Sequence, residues 1–109
     1  GVGYYATSST GTNATILADN SYTKINKGEV AIFSDGANSD VKVRNSIIDY
    51  DGDGYAVYSK NNGKIDLSNS MLVLRGKAVG FQKIPGSTDI TMTNLKVRIW
   101  VDVKEELSY

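Results

Sequence analysis

Apolar and polar residues alternate with period two over short stretches of this chain, and no stretch carries an apolar stripe at helical spacing. Ile16-x-Ala18-x-Asn20, Val41-x-Val43-x-Asn45, Ile65-x-Leu67-x-Asn69 and Ile90-x-Met92-x-Asn94 each place two apolar positions before an asparagine. The asparagines are 25, 24 and 25 residues apart. A second block keeps phase with the first: Val2-Gly3-Tyr4-Tyr5, Val30-Ala31-Ile32-Phe33, Tyr55-Ala56-Val57-Tyr58 and Val79-Gly80-Phe81-Gln82. Its small residues are separated by 28, 25 and 24 positions, the first interval being lengthened by extra residues around Thr10 to Ala14. Gly28, Gly52 and Gly76 mark the end of a unit, seven or eight residues after an asparagine. Each unit therefore reads strand, polar loop, strand, Asn, strand, Gly turn.

Three short strands per unit cannot bury their inward faces alone, but stacked units can bury one another's. The expectation is an all-β parallel β-helix, a solenoid of about four coils of about 25 residues, over roughly 1–27, 28–52, 53–76 and 77–100, with 101–109 a terminal strand or junction. An asparagine where a strand turns tolerates left-handed backbone geometry. In register, Asn20, Asn45, Asn69 and Asn94 are expected to form an internal amide ladder, each donating to the next. Gly3, Ala31, Ala56 and Gly80 should form a column of small side chains, with room for neighbouring aromatics. Tyr5, Phe33 and Tyr58 should form an aromatic column, broken at Gln82, that stabilises the stack or serves as a contact surface.

From Leu95 to Val103 the alternation L-K-V-R-I-W-V-D-V is the cleanest strand pattern in the chain, and Lys104-Glu105-Glu106 then supplies charges able to blunt an open sheet edge. Trp100 lies on the polar face of this stretch, as packing against a neighbouring segment or as part of a contact surface.

Composition narrows the chemistry. Twelve basic and twelve acidic residues cancel, which leaves no field of one sign to attract nucleic acid or an anionic membrane. The chain holds no cysteine and no histidine, so disulfides, thiolate metal sites and the usual neutral-pH general base are excluded. No apolar run approaches the roughly 18 residues of a membrane span, so membrane insertion by this segment is not expected. The opening at Gly1, with neither methionine nor a charged-then-apolar leader, suggests an excised or mature segment.

Asp49, Asp51, Asp53 and Gly54 match the opening D-x-D-x-D-G of an EF-hand calcium loop. The twelfth position of such a loop needs a bidentate acid and is Lys60 here. Gly52-Asp53 also aligns with Gly28-Glu29 and Gly76-Lys77, so the repeat needs a turn there whatever its charge. A solvated acidic turn is preferred over a surface calcium site, and no cofactor is expected.

Carboxylates at Asp49, Asp51, Asp66 and Asp89, with Arg44, Arg75 and Arg98, are the material a polysaccharide-cleaving β-helix would use. A glycosidase needs two carboxyls facing each other across a groove, roughly 5 to 9 Å apart, and Asp66 and Asp89 fall in different columns of the repeat. Without histidine, a serine nucleophile would need lysine as its base. The chain is read as a non-enzyme.

Coils of the form V-G-Y-Y or V-A-I-F, a polar loop such as S-D-G, then I-D-L-S-N-S resemble the passenger repeats of bacterial autotransporters, from Val2 to about Ile99. The resemblance implies a right-handed coil, export to the bacterial surface, tethering through an outer-membrane barrel far beyond Tyr109, and flanking coils of the same parent chain. It also implies an adhesin stalk that meets a host-cell or bacterial surface protein or glycan through loops such as Thr7 to Asn13, Ser34 to Ser39 and Ser59 to Gly63. The alternative is a carbohydrate-active β-helix whose Tyr5, Phe33 and Tyr58 column stacks on sugar rings.

Overall fold

The computed structural model describes residues 2–8, 13–26, 29–76, 79–83 and 89–99. These form β1 (Val2–Thr7), β2 (Ala14–Asp19), β3 (Tyr22–Asn26), β4 (Val30–Asp35), β5 (Ser39–Arg44), β6 (Ile47–Gly52), β7 (Tyr55–Lys60), β8 (Lys64–Ser68), β9 (Met71–Gly76), β10 (Val79–Lys83), β11 (Asp89–Thr93) and β12 (Lys96–Ile99). The described residues form no helix. Three sheets of four strands result, in the orders β1-β4-β7-β10, β2-β5-β8-β11 and β3-β6-β9-β12, and every pairing is parallel. This is a parallel β-solenoid. The expected four coils correspond to four strand layers joined by three complete turns. Register partners Val2↔Val30, Ile32↔Val57 and Tyr55↔Val79 put those turns at 28, 25 and 24 residues, the intervals of the small residues in the sequence.

Inward columns explain why the stack holds. Ile16, Val41, Ile65 and Ile90 lie in register, as do Ala18, Val43, Leu67 and Met92, and Thr23, Ile48, Leu72 and Val97. In the two middle layers Ile32, Val41, Val43, Ile48, Tyr50, Val57, Ile65, Leu67 and Leu72 are at most 1% exposed. Complete burial of one such side chain stabilises by about 1.5–3 kcal/mol. These columns, and the one through Tyr50 and Leu74, open to solvent in the fourth layer, where Met92, Val97 and Ile99 sit on strands that, among the described residues, pair along one edge only.

Outward columns carry charge in alternation. The register sets Asp19 beside Arg44, Lys42 beside Asp66, Asp40 beside Lys64, Lys24 beside Asp49, and Asp35 beside Lys60. Opposite charges on adjacent strands are favourable where like charges would destabilise, so a slip of one residue in register is penalised on the outer face as well as in the core.

The small-residue column follows from a close approach different from the one the sequence suggests. A Cβ at Gly3 would collide with the Ile25 side chain and lie 2.8 Å from the Ala31 carbonyl oxygen. Ala31 and Ala56 are completely buried beside the inward Ile32 and Val57, so two consecutive residues are enclosed at the start of β4 and of β7. At Gly3 the space is taken by the third sheet folding back against the first, not by the aromatic column.

Trp100 and the expected terminal strand or junction at 101–109 lie outside the described residues, as do Gly28 and Lys77.

Candidate functional site

The corner between the second and third sheets is built by one backbone device used four times. Asn20, Asn45, Asn69 and Asn94 have φ of 53°, 51°, 49° and 53°. This left-handed conformation costs most L-residues about 1–2 kcal/mol and is tolerated by asparagine, whose short amide bonds locally. It also inserts one residue into the alternation. Val43 points in, Arg44 and Asn45 are both exposed, and Ser46 is buried. The asparagines therefore stand outside the corner, which corrects the expectation of an internal ladder. Only part of the amide relay forms: Asn94 Nδ2 donates to Asn69 Oδ1 at 2.9 Å, whereas Asn45 Nδ2 donates to Asp19 Oδ1 at 3.0 Å.

The internal ladder at this corner is made of serine. Ser46 Oγ accepts from the Ser21 backbone N–H at 3.1 Å and donates to the Arg44 carbonyl at 2.6 Å. Ser70 Oγ accepts from the Ser46 N–H at 3.1 Å and donates to the Ser68 carbonyl at 2.8 Å. The signal was present in the sequence as the serine following Asn20, Asn45 and Asn69, and Leu95 ends the series in the fourth layer.

The acidic stretch is taken apart by the fold. Asp49 is buried although it belongs to the outward face of β6, because neighbours on adjacent strands close over it. Arg75 Nε donates to Asp49 Oδ1 at 2.7 Å and Arg75 Nη2 to Oδ2 at 3.1 Å, a bidentate pairing; the Tyr22 hydroxyl donates to Oδ2 at 3.2 Å. Arg75 is the register partner of Asp51 and reaches diagonally to Asp49. The hydrogen bond from Arg75 holds the Asp49 carboxyl below its ordinary pKa against the opposing effect of burial; the charge of Arg75, the Tyr22 hydroxyl and the charge of Lys24 add to the lowering. Asp51 is half-buried and Asp53 exposed. Among the described residues no group of three or more acidic side chains is gathered in a way that would hold a metal ion. The oxygens of Asp49 are engaged by Arg75 and Tyr22, so the solvated acidic turn is a structural ion pair at its first residue.

The aromatic column forms as expected. Tyr5 and Phe33 stack with ring centroids 4.8 Å apart at 16°, and Phe33 meets Tyr58 at 4.9 Å and 37°. Tyr55 adds a lateral contact to Tyr58 at 5.9 Å. Phe33 has a ring against each of its faces, so it presents its edge to the solvent beside the first sheet.

Candidate nucleophiles are likewise engaged in structure. The sequence holds the spacing S-x-x-K at Ser21–Lys24 and at Ser39–Lys42. In extended backbone, residues three apart face opposite sides of the sheet. Ser39 is buried with its hydroxyl donating to the Asp35 carbonyl at 2.6 Å, while Lys42 lies 3.8 Å from Asp40 on the outer surface. Ser21 Oγ is bonded to Ser46 Oγ and Lys24 is exposed. Neither pair brings a base to a hydroxyl. Of the display loops, Gly36–Asn38 and Asn61–Gly63 make tight turns closed by Ser39 N–H to Gly36 O and Gly63 N–H to Lys60 O, both at 3.0 Å.

One concavity of ligand size occupies the asparagine corner. It has a volume of about 360 Å³ and runs across three strand layers, with Asn45, Asn69 and Asn94 on one bank and Ile47, Met71 and Lys96 on the other, over a floor of Ser46 and Ser70. Pockets of roughly 300–1,000 Å³ are typical of small-ligand sites. Comparison of the chain with protein-family models, curated proteins and solved structures returns no match in any of the three.

Proposed function

We propose that this chain is a segment of an extracellular adhesin stalk at the bacterial cell surface, a right-handed solenoid continued by flanking coils of a parent chain that is tethered through an outer-membrane barrel. It acts by binding a surface protein or glycan of a host or neighbouring cell, without turnover. The observation that carries this reading is the use made of the outward polar residues. Asp49, Arg75, Asn45, Asp19, Asn69 and Asn94 bond from layer to layer and stiffen a rod, and the groove that Asn45, Asn69 and Asn94 line includes no carboxylate among its described residues. A rod with continuous parallel pairing suits presentation at a distance from the membrane. The cysteine-free composition suits export through a barrel in an unfolded state.

The carbohydrate-active alternative relied on sugar rings stacking on Tyr5, Phe33 and Tyr58. Both faces of Phe33 and one face each of Tyr5 and Tyr58 are taken up within the column, which leaves that alternative weaker than binding without chemistry. Incubating the purified chain with fixed cells and with a panel of anionic and neutral polysaccharides tests the reading. Retention on cells or glycans with no new reducing ends or unsaturated products supports it; turnover of any polysaccharide overturns it.

A further inference from the structure

The groove at the asparagine corner has two unlike banks. Along one, Asn45, Asn69 and Asn94 project one per strand layer, so their amides repeat at the strand spacing of about 4.8 Å. The bonds from Asn94 to Asn69 and from Asn45 to Asp19 use part of their capacity. Asn69 Nδ2 remains as a donor, and Asn45 Oδ1 and Asn94 Oδ1 as acceptors, all on exposed side chains. Along the other bank Ile47 and Met71 supply apolar surface, and the register continues that column to Tyr22 at one end and Lys96 at the other. Tyr22 is 61% exposed, and its hydroxyl is bonded to Asp49, which restrains the ring. The floor hydroxyls of Ser46 and Ser70 donate to the Arg44 and Ser68 carbonyls and do not compete for a ligand.

An occupant must therefore be linear, with an apolar side facing Tyr22, Ile47 and Met71, polar groups recurring at about the layer spacing on the other side, and an anion within reach of Lys96. An extended peptide advances about 3.3 Å per residue and falls out of step with the layers. A β-linked sugar chain advances by about one strand spacing per residue, carries hydroxyls along its edges and offers C–H-rich ring faces. The geometry points to a linear β-linked oligosaccharide bearing a carboxylate, a uronic-acid glycan, bound along this groove with its acid at Lys96 and one ring against Tyr22. The inference rests on the adhesin reading and names the ligand class and the site for it.

Titration of the chain with a hyaluronan tetrasaccharide, with neutral cellotetraose and with α-linked isomaltotetraose, followed by NMR of the asparagine side-chain amides, tests the assignment. The expected result is that hyaluronan shifts the Asn45, Asn69 and Asn94 amide signals, cellotetraose does so more weakly, and isomaltotetraose does not. Asn69→Gly keeps the left-handed corner and removes the amide; it should weaken hyaluronan binding about fivefold, as loss of a neutral hydrogen bond predicts, with the fold checked by circular dichroism. Lys96→Gln should weaken hyaluronan binding about tenfold and leave cellotetraose unchanged. Unmoved amide signals at saturating hyaluronan, or equal affinity in the wild type and both variants, overturns the groove assignment. Cell retention without oligosaccharide binding refutes the groove and leaves the adhesin reading in place. Oligosaccharide binding accompanied by turnover overturns the adhesin reading and leaves the groove in place.

Discussion

Two buried serines that look alike in the sequence should respond in opposite directions to the same substitution. Ser46 is 3% exposed, and its hydroxyl accepts from the Ser21 N–H while donating to the Arg44 carbonyl. Ser34 is completely buried, in register with Ala6 below and Ser59 above, and its hydroxyl has no hydrogen-bond partner. Ser46→Ala leaves the Ser21 N–H without its acceptor at a half-buried corner, while the Arg44 carbonyl still accepts from the Asn20 N–H. Leaving one enclosed group unsatisfied costs about 1–3 kcal/mol, so a loss of about 2 kcal/mol is expected. Ser34→Ala removes a polar atom that was dehydrated without compensation. That gain, about 1–3 kcal/mol, is offset by the small void left by one oxygen, roughly 0.4 kcal/mol, for a net stabilisation of about 1 kcal/mol. At about 4 °C per kcal/mol for a chain of this size, Ser46→Ala should lower Tm by roughly 8 °C and Ser34→Ala should raise it by roughly 4 °C. Paired thermal and urea unfolding of the two variants, with unchanged m-values, is the measurement. Equal destabilisation by both would show that hydroxyl pairing does not distinguish these positions and would refute the serine-ladder account.

Other outcomes follow from the same geometry. Asn45→Ala should cost about 1–2 kcal/mol more than Asn45→Gly in denaturant unfolding, because both lose the bond to Asp19 but only alanine is strained at φ 51°. Phe33→Ala removes two ring contacts and should destabilise by about 1–3 kcal/mol beyond the lost area; an unchanged melting curve with partner binding abolished would instead assign the column to recognition. Asp49 has its folded-state pKa lowered, so its contribution is complete above the ordinary carboxylate pKa and is lost as pH falls through the lower folded value. Stability of the wild type should therefore fall below about pH 4 more steeply than that of Asp49→Asn. Millimolar calcium should leave Tm unchanged, since Arg75 and Tyr22 hold the Asp49 oxygens; a rise of several degrees would restore the metal-site reading.

The sequence alone determined the period, the strand-loop-strand-Asn-strand plan and the register, because a solenoid stacks what recurs, and recurrence can be counted. Ile16, Val41, Ile65 and Ile90 are in line in the chain text and in the sheet for the same reason. The left-handed asparagine was also legible, since few residues tolerate that backbone. The direction faced after the corner was not. An inserted left-handed residue resets the period-two alternation, so whether Asn45 or Ser46 points inward depends on the angle between two sheets. Only the tertiary structure decided that serine lines the inside and asparagine the groove. It likewise decided that Arg75 reaches past its register partner to Asp49, and that Gly3 makes room for Ile25. Both depend on side chains meeting between different strands, and the spacing of residues along one chain does not encode those distances.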